Sequence, residues 1–214
     1  MAPQSGGGVD AVVFDLGNVL IEWNRDLLYR QVIPDEKRRA HFFAEIATME
    51  WNLELDRGLP FDQGVQELTS RHPSWSAEIA AYRDRWPEML GGADGAAVAV
   101  IDDLLAAGVR TLGLTNWAAE TFHHAERRFE FLARLEAIVV SGREGVVKPD
   151  RAIFDLLCER HGLDPDRILF TDDSAANVEG ARRAGWHAVL WTDAETFRHE
   201  LEQRGVLPAR RRLE

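Results

Sequence analysis

Cysteine is all but missing from this chain: Cys158 stands alone. That excludes an intrachain disulfide and any paired-cysteine metal site. No apolar run approaches the ~20 residues that a membrane-spanning helix needs. Positive charge is scarce too, and the formal net charge is −11. A general nucleic-acid binder gains its affinity by neutralising phosphates with basic side chains, so no nucleic-acid partner is expected. A local positive pocket for a small anion stays open on an acidic protein. Lysine is the rarest of the charged residues, with Lys37 and Lys148 the only two. Residues 1–8 are short, polar and glycine-rich, and read as a disordered tail rather than a signal peptide. Residues 208–214, with Arg210, Arg211 and Arg212, read as a flexible C-terminus. The expectation is a soluble cytoplasmic protein with no membrane partner and with its oligomeric state unassigned.

What the chain does hold is an apolar share of 45%, enough for a sizeable core. Ala11 to Phe14 reads as a buried strand of a parallel sheet. Asp15 follows at its carboxyl end, where open α/β sheets place ligands, and Gly17 reads as the residue that lets the backbone turn tightly. Residues from about 22 to 88 then read as helical, with no strand. Asn24 caps a helix over Arg25 to Val32, Pro34-Asp35 opens the next, and Asp56-Arg57-Gly58 is a turn. Ser76 caps a helix that runs to Trp86. Trp23, Trp51, Trp75 and Trp86 fall in this stretch. Core packing accounts for most such tryptophans, and one or two are candidates for a pocket wall.

From Asp94 strands and helices alternate. The strands are Val109 to Leu114, Ala137 to Val140, Arg167 to Phe170 and His187 to Trp191, with helices between them. This alternation predicts an α/β fold with a parallel sheet covered on both faces.

Four polar features follow strand-like stretches: Asp15, Thr115, Lys148 and the pair Asp172-Asp173. Each has an ordinary explanation alone, as a helix cap or a surface loop residue. Together they describe a site. Adjacent carboxylates raise each other's pKa, and a hard divalent cation removes that penalty. Mg²⁺ typically takes one or two carboxylates plus waters and phosphate oxygens. A lysine and a hydroxyl beside it suit a phosphoryl group.

At these residues the chain resembles the haloacid dehalogenase-like (HAD) superfamily. FDLGNVL is similar to its first motif, LTN to its second, VVKPD to its third and FTDDSAANVEGA to its fourth. The nearest subgroup is the phosphatases with a DLGNV first motif, which include sugar-1-phosphate phosphatases. The resemblance implies a Rossmann-like, doubly wound core over residues 9–21 and 89–207, with a helical C1 cap at 22–88. It implies an enzyme in which Asp15 is the nucleophile and an aspartyl-phosphate forms. Thr115 and Lys148 would hold the phosphoryl oxygens, with Gly17, Asn18, Asn116, Trp51 and Trp117 around the substrate. Mg²⁺ would be held by Asp15, the main-chain carbonyl of Gly17, Asp173 directly, and Asp172 directly or through water.

Most phosphatases of this family carry a second Asp two residues after the nucleophile, as general acid and base. Here that position is Gly17, as in the DLGNV subgroup. Glu22, a cap residue or water is left to supply the proton. The expected function is hydrolysis of a small phosphorylated metabolite, such as a sugar phosphate. One alternative is a 2-haloacid dehalogenase using Asp15 without metal. Against it, two extra carboxylates at 172–173 would repel a carboxylate substrate. A non-catalytic binding protein on the same fold is the third reading. Cys158 reads as a buried, inert thiol, His123 and His124 as surface residues, and Asn177 as an orienting hydrogen-bond partner for the late acids.

Overall fold

The computed structural model describes residues 8–209; all of the expected N-terminal tail but Gly8, and the arginines of the expected C-terminal one, lie outside them. The chain begins with β1 (Ala11–Phe14), β2 (Ile21–Trp23), α1 (Arg25–Val32) and α2 (Glu36–His41), the last continuing as a π-helical turn, Phe42–Ile46. It goes on through α3 (Met49–Asp56), α4 (Phe61–Arg71), α5 (Ser76–Asp84), β3 (Leu90–Ala93) and α6 (Gly95–Ala106). Then come β4 (Arg110–Thr115), α7 (Ala119–Arg128), β5 (Ile138–Val140), α8 (Ser141–Glu144) and α9 (Arg151–His161). The last elements are β6 (Ile168–Asp172), α10 (Ala175–Arg183), β7 (His187–Leu190) and α11 (Ala194–Gln203).

β1 is buried on both faces. Val12 and Phe14 enter one hydrophobic cluster, Ala11 and Val13 another, as the two-residue period of a strand demands. Strands so covered belong in the middle of a parallel sheet. The five-stranded sheet runs β5-β4-β1-β6-β7 and is parallel throughout. Counted in chain order its strands stand 3-2-1-4-5, a doubly wound Rossmann-like arrangement whose order reverses beside β1. Phe14 meets Phe197 of α11 edge-on on one face. On the other, Phe154 of α9, Phe170 and Trp186 pack edge to face. No helix among the described residues is long and apolar enough to cross a membrane.

Three sequence expectations change. The stretch around the insert is not strand-free: β2 and β3 pair antiparallel, Ile21 opposite Ala93 and Trp23 opposite Leu90. The two passages between the sheet and the helical insert therefore run side by side. Ser76 is the first residue of α5 rather than its cap, and that helix stops at Asp84, short of Trp86. The turn after β1 takes its left-handed residue at Asn18, with φ 56°, and not at Gly17. The Asn18 side chain offsets that strain, because its Oδ1 accepts the backbone N–H of Trp23.

The insert's buried residues continue the hydrophobic cluster that covers one face of the sheet. Tyr29, Phe42 and Tyr82 are fully buried, and the Tyr29 ring contacts both Phe42 and Tyr82. The Tyr29 hydroxyl donates to the carbonyl of Glu78, which ties α1 to α5.

Candidate active site

β4, β1 and β6 lie side by side, so their carboxyl ends bring Thr115, Asp15 and Asp172 together without any long side-chain reach. Lys148 comes from the loop before α9. Its Nζ lies 2.9 Å from Asp15 Oδ1, and it donates to Asp172 Oδ2 at 2.6 Å and to the carbonyl of Leu114 at 2.8 Å. Three donors meet three acceptors, which is the full capacity of an ammonium. Burial works against its charge, yet Asp15 and Asp172 outweigh burial and hold its pKa above the ordinary lysine value. Desolvation raises Asp15 despite Lys148. Asp15 Oδ1 also accepts the Leu16 N–H at 2.7 Å.

The loop holding Lys148 is fixed by Asn116. Its Oδ1 accepts the Lys148 N–H at 2.8 Å and its Nδ2 donates to the Lys148 carbonyl at 2.9 Å. Asn116 lines the cavity, and its side-chain amide positions the lysine loop. Thr115 differs. Its hydroxyl is buried in the cavity wall and has no hydrogen-bond partner. Thr115 does not cap α7, whose N-cap residue is Ala118. Unpaired buried polar groups are rare, and this one belongs to a residue of the cavity lining.

Asp15, Asp172 and Asp173 each bring a carboxylate oxygen within 4.8 Å of the others. Asp172 is completely buried and spends its oxygens on Lys148, the Ser174 N–H and both reaches of Asn177 Nδ2, at 3.0 and 3.1 Å. Asp173 instead faces the cavity. Burial, then Asp172, push its pKa up, and a hydrogen bond from Asn18 works the other way. Lys148 cannot balance three carboxylates, and an all-oxygen donor set of this kind fits a hard divalent cation.

A cavity of about 460 Å³ opens over these groups, between the sheet and the insert. Gly17, Asn18, Asn116 and Trp117 line it, with Trp23, Met49, Leu53 and Trp86. Trp51 does not: it is buried inside the insert, edge-on against Tyr82 at 5.0 Å, where it fills the insert's core. The indole pair Trp86 and Trp117 is in contact at 5.6 Å, and His124 stacks on Trp86. Cys158 is buried.

Asp56, read from sequence only as part of a turn, lines the cavity too. Asp56 ends α3 and is half-buried in the cavity wall. Its Oδ2 accepts from Asn52 Nδ2 at 2.8 Å, and the Tyr82 hydroxyl donates to Asn52 Oδ1 at 2.6 Å. Its main-chain carbonyl accepts from Ser141 Oγ at 2.6 Å, and that oxygen also accepts the Trp117 N–H. Desolvation pushes the Asp56 carboxyl up to about 7, against hydrogen bonds from the Ala118 backbone and Asn52 and the charge of Lys148. The missed signal was an acid in the last turn of a helix, where the dipole disfavours negative charge.

Over residues 9–185 the chain matches the sequence model of the haloacid dehalogenase-like hydrolases. Acyl-CoA dehydrogenase family member 10 of Mus musculus is 33% identical over 106 residues, 48% of this chain, and the match spans 9% of that relative's length. Sesquiterpene phosphatase astK of Aspergillus oryzae is 26% identical over 194 residues, covering 90% of this chain and 95% of that protein. Among solved structures, the HAD family enzyme bt-2542 of Bacteroides thetaiotaomicron, as a magnesium complex, has a TM-score of 0.70 at 19% identity, with 91% and 98% of the two chains covered. A dehalogenase has a TM-score of 0.67 at 16% identity, with 90% and 97% covered. The likeness to these two structures is one of fold.

Proposed function

The chain belongs to the haloacid dehalogenase-like hydrolase family, and from that premise we propose that it is a Mg²⁺-dependent phosphatase acting on phosphate monoesters of apolar alcohols or phenols. The observation that carries the reading is the charge balance at the strand ends. Three carboxylates stand within 4.8 Å of one another around one fully committed lysine. A dehalogenase would bring a further carboxylate, on its substrate, to this group without a cation to offset it. A phosphate dianion with a divalent cation suits it instead.

Asp15, Asp173 and the carbonyl of Gly17 are the groups that would hold Mg²⁺, with Asp172 less available because its oxygens are already bonded. The ion would neutralise charge on the phosphoryl oxygens. Asp15 is the nucleophile: one carboxylate oxygen attacks phosphorus and the ester oxygen departs. Lys148 holds Asp15 in position, and the Thr115 hydroxyl donates to a phosphoryl oxygen. The helical insert acts as a cap that excludes water from the reacting groups.

The walls argue for an apolar leaving group. Trp23, Met49, Leu53, Trp86 and Trp117 give the lining large apolar surfaces away from the acids. Each of the four asparagines of the cavity makes at least one bond within the protein: Asn18 to Trp23, Asn52 to Asp56 and Tyr82, Asn116 to Lys148, Asn177 to Asp172. The hydroxyls of a sugar phosphate, the substrate suggested by the first motif, would find few free partners here. The full-length match to a sesquiterpene phosphatase supports the same preference.

The test is a panel of prenyl, aryl and hexose phosphates, with Mg²⁺ and with excess chelator. Mg²⁺-dependent release of phosphate is expected, with kcat/KM higher for prenyl and aryl esters than for hexose phosphates. Undiminished turnover in chelator would overturn the metal-dependent mechanism. A preference for hexose phosphates would overturn the substrate class.

A further inference from the structure

Gly17 leaves the reaction without a carboxyl beside the nucleophile. A Cβ built there meets nothing within 4 Å, so neither packing nor backbone accounts for the missing side chain. The proton for the departing oxygen then comes from water or from an acid elsewhere on the cavity wall. The acids that line it are Asp15, Glu50, Asp56 and Asp173. Asp15 and Asp173 belong to the group around Lys148. Glu22, the candidate named from sequence, lies against Gly91 on the β2–β3 ribbon and lines a separate groove with Gly92 and Asp94.

Glu50 and Asp56 remain, and they sit at opposite ends of one helix. Glu50 is in the first turn of α3, exposed, with its pKa lowered by backbone N–H and Thr48 hydrogen bonds. It is held as a carboxylate and has no proton to give. Asp56 is in the last turn, where the carbonyl end of the helix disfavours a carboxylate. It lines the cavity, and its end of α3 is anchored to the sheet side. Ser141 joins its main chain to the loop that carries Trp117, directly after Thr115, and the Ala118 N–H reaches its carboxyl. Asn52, itself held by Tyr82, fixes one carboxyl oxygen. This is a pre-organised acid facing the site from the insert, and its environment keeps the proton available near neutral pH.

We propose that Asp56 is the general acid and base of this enzyme, carried on the insert in place of the carboxyl absent at position 17. The proposal rests on the phosphatase reading. In the first step the Asp15 carboxylate forms a bond to phosphorus, the phosphorus–ester oxygen bond breaks, and the Asp56 carboxyl gives its proton to the leaving oxygen. The products are free alcohol, phosphorylated Asp15 and ionised Asp56. In the second step Asp56 takes a proton from water as its oxygen bonds to phosphorus. The bond from phosphorus to Asp15 breaks, and both carboxyls return to their starting states with inorganic phosphate released.

The experiment compares wild type and Asp56→Asn with Mg²⁺, over aryl and alkyl phosphates of graded leaving-group pKa. Wild type should depend only weakly on leaving-group pKa. Asp56→Asn should lose about 10²–10⁴-fold on alkyl esters and far less on nitrophenyl phosphate in its first turnover. With that activated ester the variant should release a burst of one equivalent of nitrophenol and then stall, with phosphate trapped on Asp15. A merely structural role for Asp56 would lower every substrate alike and give no burst, and that result overturns the proposal. So does a steep leaving-group dependence in wild type, which decides the matter even if the variant fails to fold. Hydrolysis of no ester at all by wild type, at any Mg²⁺ concentration, would instead overturn the phosphatase reading and the proposal with it.

Discussion

Thr115 carries a hydroxyl that is buried and bonded to nothing. Such a group costs about 1–3 kcal/mol of desolvation that no partner offsets. Thr115→Val keeps the shape and removes the penalty. The variant is expected to melt at the same temperature as wild type or slightly higher, and to lose the stabilisation that wild type gains from inorganic phosphate with Mg²⁺. Thermal melts with and without phosphate check both halves. A second expectation concerns Asp56 as a folded-state acid. Its carboxyl titrates near 3.8 unfolded and is pushed up to about 7 when folded. Between those values the folded chain binds more protons than the unfolded one, so stability falls as pH rises through the window. Asp56→Asn removes that contribution, and its denaturation midpoint should decline less steeply from about pH 4 to about pH 7 than that of wild type. Equal slopes would show that Asp56 titrates normally. That Asp15, Thr115, Lys148 and the late acids converge was legible in the sequence, because Asp15, Thr115 and the late acids stand at the ends of buried strands and Lys148 lies in the stretch beyond another. Asp56 was not legible, because its place in the cavity wall depends on the sheet-side loops that carry Trp117 and Ser141, which arrive much later in the chain. The commitment of Asn116 to a backbone is likewise invisible without coordinates.

At the scale of elements, α10 controls the lysine loop. A Cβ at Gly180 would lie 2.7 Å from Pro149 Cβ and 2.8 Å from the Pro149 carbonyl oxygen. One of those contacts is backbone and cannot swing aside. Gly180→Ala should therefore push α10 away from Lys148-Pro149, with a stability loss of about 1–3 kcal/mol and a larger proportional loss of kcat. Gly95→Ala, at the start of α6 where a Cβ meets nothing within 4 Å, is the control. It should stabilise by up to about 1 kcal/mol through the unfolded chain and leave kcat alone. The core strands and long helices could be read from sequence because burial imposes a strong period on them. β2 and β3 could not: three and four residues are too few to show a period, and Gly91-Gly92 in β3 reads as a breaker. α3 was hidden for a different reason. Its apolar residues are mixed with Glu50, Asn52, Glu54 and Asp56, and the polar ones that face the cavity blur the amphipathic pattern.

Taken whole, the molecule is a sheet with a helical insert laid over its carboxyl ends, one hydrophobic cluster running through both, with weaker polar ties besides. Arg57 pairs with Asp150 at 2.9 Å across the gap, with both side chains well exposed, and such pairs contribute about 0–1 kcal/mol. The Phe61 N–H donates to Glu120, and Ser141 to the end of α3. The site beneath is rigid by contrast, because its lysine has every hydrogen engaged. That leads to a use of the sequence's scarcity of amines. Lys37 lies exposed on α2 and Lys148 lies at the centre of the site, with no third lysine to confuse them. An amine-directed reagent should modify Lys37 promptly and leave Lys148 untouched in the folded protein, as peptide mass analysis can follow. Whatever modification of Lys148 does occur then clocks the rate at which the centre of the molecule comes apart. Slow labelling of Lys148 that keeps pace with global unfolding would mean that the insert and the sheet breathe as one body. Labelling that outruns unfolding would mean that the insert lifts away by itself.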